Sequence, residues 1–126
     1  MNTTFIEPAS PLLVACLCAQ WCGVCRDYAP LFKSTLSGLG SAQVTLKWVD
    51  VEDNDELLGD LDVQNFPTLL IARGAQPVFL GAVMPHAQTL LRLVQRALAG
   101  DVAPLTDPAA AIELVANVQA FEAGVL

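Results

Sequence analysis

Trp21-Cys22-Gly23-Val24-Cys25 decides how this chain folds: two cysteines separated by two residues, where an apolar run ends and a helical pattern begins. In disulfide exchange the nucleophile is the thiolate and not the thiol. A helix N-terminus presents unpaired N–H groups and a partial positive charge, and both favour an anion there. The pattern places Cys22 at that terminus, exposed, and Cys25 one turn inside, near enough to close a disulfide on Cys22. Such a pair cycles between dithiol and disulfide, one sulfur attacking a partner and the second resolving the mixed disulfide. Zinc sites use the same spacing, so the surrounding sequence has to decide.

Upstream, Leu12-Leu13-Val14-Ala15-Cys16-Leu17-Cys18-Ala19 is an unbroken apolar run, the pattern of a strand buried on both faces. From Val24 the period changes. Tyr28, Leu31, Phe32, Thr35, Leu36 and Leu39 fall on one helical face, Pro30 predicts a kink, and Gly38 and Gly40 end the helix. Residues 44–50 and 66–72 read as further strands. Gly74-Ala75-Gln76-Pro77 makes a turn into a fourth strand over 78–81, paired with the third. A helix over 85–98 turns Leu90, Leu91, Val94, Ala97 and Leu98 inward. This order predicts an α/β fold, a mixed sheet of four or five strands with helices on both faces.

These segments resemble the thioredoxin family. Ala19-Gln20-Trp21-Cys22-Gly23-Val24-Cys25-Arg26 is similar to its active-site segment, and Ala29-Pro30 falls at its helix-kinking proline. Val49-Asp50-Val51 resembles the end of its next strand, Phe66-Pro67-Thr68 its cis-proline loop, and Gly81-Ala82 the glycine before its final helix. The resemblance runs over residues 11–99. It implies a thioredoxin-like fold and a thiol–disulfide oxidoreductase that reduces protein disulfides. Cys22 is then the nucleophile and Cys25 the resolving thiol, the two forming the redox-active disulfide. Phe66 and Pro67 shape the substrate groove, where a substrate strand pairs with the backbone before the cis bond, and Trp21 and Gly23 border it. The implied partners are disulfide-bearing proteins and an NADPH-linked thioredoxin reductase, with no bound cofactor and no metal. The alternative is a thioredoxin-fold interaction module whose cysteine pair is vestigial or regulatory.

Three positions depart from the family. Where it carries a buried aspartate that assists proton transfer at the resolving thiol, this chain has Cys16, and the lysine that pairs with that acid falls near Leu46. Gly23-Val24 replaces Gly-Pro, restoring a backbone N–H at the helix start. Cys18 stands where the family has an aromatic residue. A four-thiolate metal site of Cys16, Cys18, Cys22 and Cys25 would require the strand end to fold back, because i and i+2 side chains stand ~6.5 Å apart along a strand. Cys16 and Cys18 therefore read as small buried hydrophobes, with backup redox thiols as the competing reading. His86, the sole histidine, reads as a solvated first-turn residue, and Arg26 as solvent-facing or an aid to the thiolate.

A net charge of −7 excludes a nucleic-acid partner, since no basic stripe exists to neutralise phosphates. The acidic run of Asp50, Glu52, Asp53, Asp55, Glu56, Asp60 and Asp62 reads as a solvated surface, and it lacks the glycine an EF-hand loop needs. The N-terminus has no signal-peptide pattern and no apolar run reaches membrane-spanning length, so the expected location is the cytoplasm, where the pair would act as a reductant. The chain divides into a thioredoxin-like domain over 1–100 and a helical extension over 101–126. Ahead of the first buried strand, residues 1–10 with Pro8 and Pro11 leave no room for the family's first helix. Asp107-Pro108 predicts a further helix, with Ile112, Val115, Val118 and Phe121 or Glu122 on one stripe up to Gly124. That helix is expected on the uncovered sheet face, or on a second subunit to give a homodimer.

Overall fold

The computed structural model describes residues 12–19, 21–40, 43–59, 61, 63–102, 105 and 109–121. The apolar run forms β1 (Leu12–Cys18), whose seven residues are all buried. It lies second in the sheet order β2-β1-β3-β4, parallel to β2 (Val44–Asp50) and antiparallel to β3 (Thr68–Arg73). Side chains alternate across a strand, so β1 feeds two cores. Leu12, Val14, Cys16 and Cys18 join one, and Leu13, Ala15, Leu17 and Ala19 the other.

The first core is closed by α1 (Gly23–Ser37) and α2 (Ala87–Leu98). From α1, Cys25, Tyr28, Phe32 and Leu36 point inward at helical spacing, with Pro30 inside the helix. α2 contributes Leu90, Val94 and Ala97. Arg73 Nη2 donates to the carbonyls of Ala97 and Leu98 at 3.1 and 3.2 Å, placing a cation at the α2 C-terminus. β4 (Gln76–Ala82) pairs antiparallel with β3, with an irregular register between Ile71 and Ala72. The hairpin turn uses Gly74 at φ +60°, a conformation open to glycine. Phe79, expected in the core, is half-buried and packs against it, and exposed His86 is the N-cap of α2 instead of a first-turn residue.

The second core is closed by α3 (Ala109–Ala120). Leu114, Val115 and Val118 pack against Leu13, Ala15, Leu17, Val49, Val51, Leu70 and Ala72, and Ala111 is buried on the same helix. Ile112, expected on the inner stripe, is 43% exposed. The helix is rotated so that the i, i+3, i+4, i+7 set starting at Ala111 faces the sheet. Lys47 belongs to this face. It is buried, and its Nζ donates to the carbonyls of Val118, Gln119 and Phe121 at 2.7, 2.9 and 2.8 Å. Lys47, next to Leu46 where the resemblance puts the family's lysine, thus caps the end of α3. A 3₁₀ turn over Asp55–Leu58 carries part of the acidic run, and Asn117 Nδ2 donates to its Leu57 carbonyl at 3.0 Å. The expectations for residues 1–11, Gln20, Asp60, Asp62, Asp107-Pro108, Glu122 and Gly124 lie outside the described residues. No helix among the described residues is long and apolar enough to cross a membrane.

Candidate active site

Cys22 is the N-cap of α1, with extended backbone angles (φ −83°, ψ 120°) and a partly exposed side chain. Its N–H donates to the Ala19 carbonyl at 3.0 Å and its carbonyl accepts from Arg26 at 3.2 Å, so the residue is held at the strand-to-helix corner. The Cys22 side chain makes no capping hydrogen bond and the first turn of α1 holds no acid, so no carboxylate of that turn opposes an anion at Cys22. The Arg26 guanidinium lies over this turn, 3.7 Å from where a Cβ on exposed Gly23 would stand.

Trp21 is 64% exposed, and its ring meets Phe66 edge-on at 5.9 Å and 84°. That contact ties the cysteine corner to the loop before β3. There the Phe66–Pro67 peptide bond is cis, the Pro67 carbonyl accepts from Val83 N–H at 3.0 Å, and Thr68 Oγ1 donates to the Asn65 carbonyl at 2.6 Å. Cys22 and Phe66 both pack at the boundary between the two cores. The structure thus gathers Trp21, Cys22, Gly23, Phe66 and Pro67 around one corner of the sheet.

Cys25 is buried one turn into α1, and its sulfur is joined to Cys18, not to Cys22. Cys16 and Cys22 are the free cysteines. The reason is positional. Cys18 ends β1 on the face that α1 covers, and Cys25 is the first α1 residue whose side chain turns onto that face, with Cα atoms 5.8 Å apart. Cys16 lies on the same face, its Sγ 3.8 Å from Cys18 Sγ. Burial pushes the Cys16 thiol far above its ordinary range, which keeps it protonated. Spacing along the chain points to Cys22 as the partner of Cys25. The strand parity that sends Cys16 and Cys18 to one face is the signal for the pairing found.

An open groove of about 470 Å³ runs beside Cys25 and Arg26, with Trp48, Asp50 and Asp53 in its wall. Asp50 pairs with Cys18 in the β1–β2 register, and its Oδ1 accepts the N–H groups of Glu52 and Asp53 at 2.9 and 3.3 Å. The sequence locates no carboxylate behind the resolving thiol. The groove supplies two from the neighbouring strand end. Among the described residues, no group of three or more His, Cys, Asp or Glu could hold a metal ion.

Residues 2–95 match the thioredoxin family model. Thioredoxin of Bacillus subtilis is 28% identical over 92 residues, which span 73% of this chain and 88% of that protein. The bifunctional thioredoxin reductase/thioredoxin of Mycobacterium leprae is 35% identical over 60 residues, 48% of this chain and 13% of that protein. Among solved structures, thioredoxin of Fasciola hepatica superposes with a TM-score of 0.60 at 26% identity, covering 71% of this chain and 84% of that one.

Proposed function

We propose that this chain, which belongs to the thioredoxin family and is a thiol–disulfide oxidoreductase, reduces disulfides of partner proteins through Cys22 and Cys25. The observation that carries this reading is the place of Cys22: partly exposed at the N-cap of α1, beside the Trp21–Phe66 pair and the cis Phe66–Pro67 loop.

Cys22 thiolate attacks a substrate disulfide. Its sulfur bonds to one substrate sulfur, and the other leaves as a thiolate. Cys25 then attacks Cys22 Sγ, expelling the second substrate thiolate and closing a Cys22–Cys25 disulfide. Two electrons have passed to the substrate. Cys25 loses its proton to the groove, where Asp50 and Asp53 stand. The substrate strand aligns along the Phe66 backbone, with Pro67, Trp21 and Gly23 shaping its seat.

The chemistry needs only sulfur, so no bound cofactor enters. A dithiol reductase restores the pair; the Mycobacterium leprae protein, whose name joins a thioredoxin reductase to a thioredoxin, supports that partner. A reducing cytoplasm is the compartment in which this direction runs. Residues 1–100 form the redox domain and 101–126 its extension. The apolar side of α3 lies on its own sheet, which supports action as a monomer over the homodimer.

The Cys18–Cys25 bond favours a second reading, an interaction module whose cysteine pair is regulatory, since Cys25 so bonded cannot resolve a mixed disulfide. Insulin-disulfide reduction after full reduction of the protein separates the two. The enzyme reading expects turnover by the wild type and its loss in Cys22→Ser. Equal turnover by both proteins overturns the assignment of Cys22, and an inactive wild type supports the module.

A further inference from the structure

The mechanism above needs two cysteines, yet the structure joins Cys25 to a third and places a fourth against it. We propose that Cys18 is a further catalytic residue: it takes the disulfide over from Cys22, so that the oxidised protein rests as Cys18–Cys25 with Cys22 released as an accessible thiol. The inference rests on the reading of Cys22 and Cys25 as nucleophile and resolving thiol.

The step is an internal exchange. Cys18 thiolate attacks Cys25 Sγ in the Cys22–Cys25 disulfide. The Cys18–Cys25 bond forms, the Cys22–Cys25 bond breaks, and the electron pair leaves on Cys22 Sγ. The proton given up by Cys18 is balanced by the one Cys22 takes when it is a thiol. Nothing is oxidised or reduced in this step. The two oxidising equivalents entered with the protein disulfide already reduced.

Three observations favour the exchange. Cys18 and Cys25 have Cα atoms 5.8 Å apart, inside the range that bridges without backbone movement. Cys18 is held in place, since its carbonyl accepts from Val51 N–H at 2.8 Å and β1 is paired on both sides. The exchange also moves a forming anion from a fully buried sulfur to a partly exposed one at a helix N-terminus. Desolvation and the helix dipole therefore act in the same direction.

Cys16 is a positioning residue for this step. Its thiol lies 3.8 Å from Cys18 Sγ and donates to it, and burial keeps that thiol protonated, so a thiolate forming on Cys18 keeps a hydrogen-bond donor beside it. In the resulting state Cys22 still attacks disulfides but has no resolving thiol. The oxidised protein thus retains a partner as a mixed disulfide, whereas the reduced protein turns it over.

Full-length reduced protein is oxidised with one equivalent of diamide, pulsed with iodoacetamide at neutral pH, digested without reductant and mapped by mass. The expected majority species has Cys18 linked to Cys25 and Cys22 alkylated. A majority of Cys22–Cys25 or of Cys16–Cys18 overturns the proposal, and this wild-type map depends on no variant folding. In Cys18→Ala, oxidation should instead abolish Cys22 alkylation, and persistent alkylation overturns the role of Cys18. After oxidation, the label at Cys22 should appear more slowly in Cys16→Ala and recover its rate in Cys16→Ser, which restores a donor. Equal rates in all three overturn the role of Cys16. A Cys22–Cys25 end state with insulin reduction lost in Cys22→Ser removes this inference alone, whereas reduction that survives Cys22→Ser removes the reading beneath it.

Discussion

Replacing Lys47 by methionine keeps a long, unbranched side chain and removes its charge and three donors. Those donors hold the last carbonyls of α3 at 2.7–2.9 Å. A charge-assisted hydrogen bond contributes about 1.5–3 kcal/mol net, and a cation at a helix C-terminus adds about 0.3–1 kcal/mol. The three bonds do not sum at full value. The contact to Val118 is buried, whereas those to Gln119 and Phe121 are only part-buried, so water can replace them. Methionine also avoids the cost of desolvating an ammonium group. The expected loss is roughly 2–4 kcal/mol, and at ~3–5 °C per kcal/mol for a domain of this size Tm should fall by roughly 6–20 °C. Because α3 is the cover of the second core, its amides should lose hydrogen-exchange protection before those of β1. Circular dichroism melts with exchange mapped by mass spectrometry measure both effects. An unchanged Tm together with unchanged α3 protection would refute the idea that Lys47 fastens α3 to the sheet.

Two further perturbations probe the wall behind the sulfurs. The Tyr28 hydroxyl is buried with no hydrogen-bond partner among the described residues, so Tyr28→Phe should raise stability by about 1 kcal/mol at neutral pH, read by urea melts. Burial pushes its ionisation well above the usual range, and ionisation of Cys16, itself held off by burial, would push it further the same way. The unfolded tyrosine ionises near pH 10 while the folded one does not, so the wild type should lose about 1.4 kcal/mol per pH unit above that point and the variant should lack this share of the loss; parallel alkaline limbs would show the reasoning to be wrong. Cys16→Asp places a carboxyl group in a fully buried site, raising its pKa. Its neutral form is the tolerated one, so the variant should be least destabilised in acid and lose stability as pH rises through the raised pKa, while mixed-disulfide resolution quickens. Melts and disulfide-reduction rates across pH test this, and no change in either would mean that position 16 does not act on the sulfurs.

Much of the architecture is legible because composition carries burial directly. A short apolar run without polar alternation is the pattern of a strand covered on both faces, and β1 is that strand. The 3.6-residue spacing of Cys25, Tyr28, Phe32 and Leu36 fixes the inner face of α1 for the same reason. α3 is harder. Its sequence, Ala109-Ala110-Ala111-Ile112-Glu113-Leu114-Val115, is apolar nearly all round, so Ile112 is as good a candidate for the inner stripe as Ala111, and only the fit to the sheet chooses between them. Lys47 sits between apolar residues and points away from α1 by strand parity, but the sequence does not show that a helix 70 residues on ends above it. The cysteine corner is readable in type and not in pairing. Cys-x-x-Cys spacing makes Cys22 and Cys25 neighbours along the helix, whereas Cys18 meets Cys25 only because β1 ends beneath the first turn of α1.

The two unusual residues of β1 make sense as one change. Parity places positions 16 and 18 on the same face, both toward α1, and their sulfurs lie 3.8 Å apart. An aspartate at position 16, as the family resemblance would put there, would set a carboxylate against the sulfur of Cys18. Once ionised above its raised pKa, that group would repel a thiolate forming on Cys18 and oppose exchange with Cys25. A thiol at position 16 does the reverse, donating to that sulfur and staying neutral. In the proposed mechanism the proton of buried Cys25 goes instead to the groove beside it, which Asp50 and Asp53 line. Replacing the buried acid and adding a sulfur two residues later are therefore mutually consistent: each makes the other tolerable in a wall that carries no charge of its own.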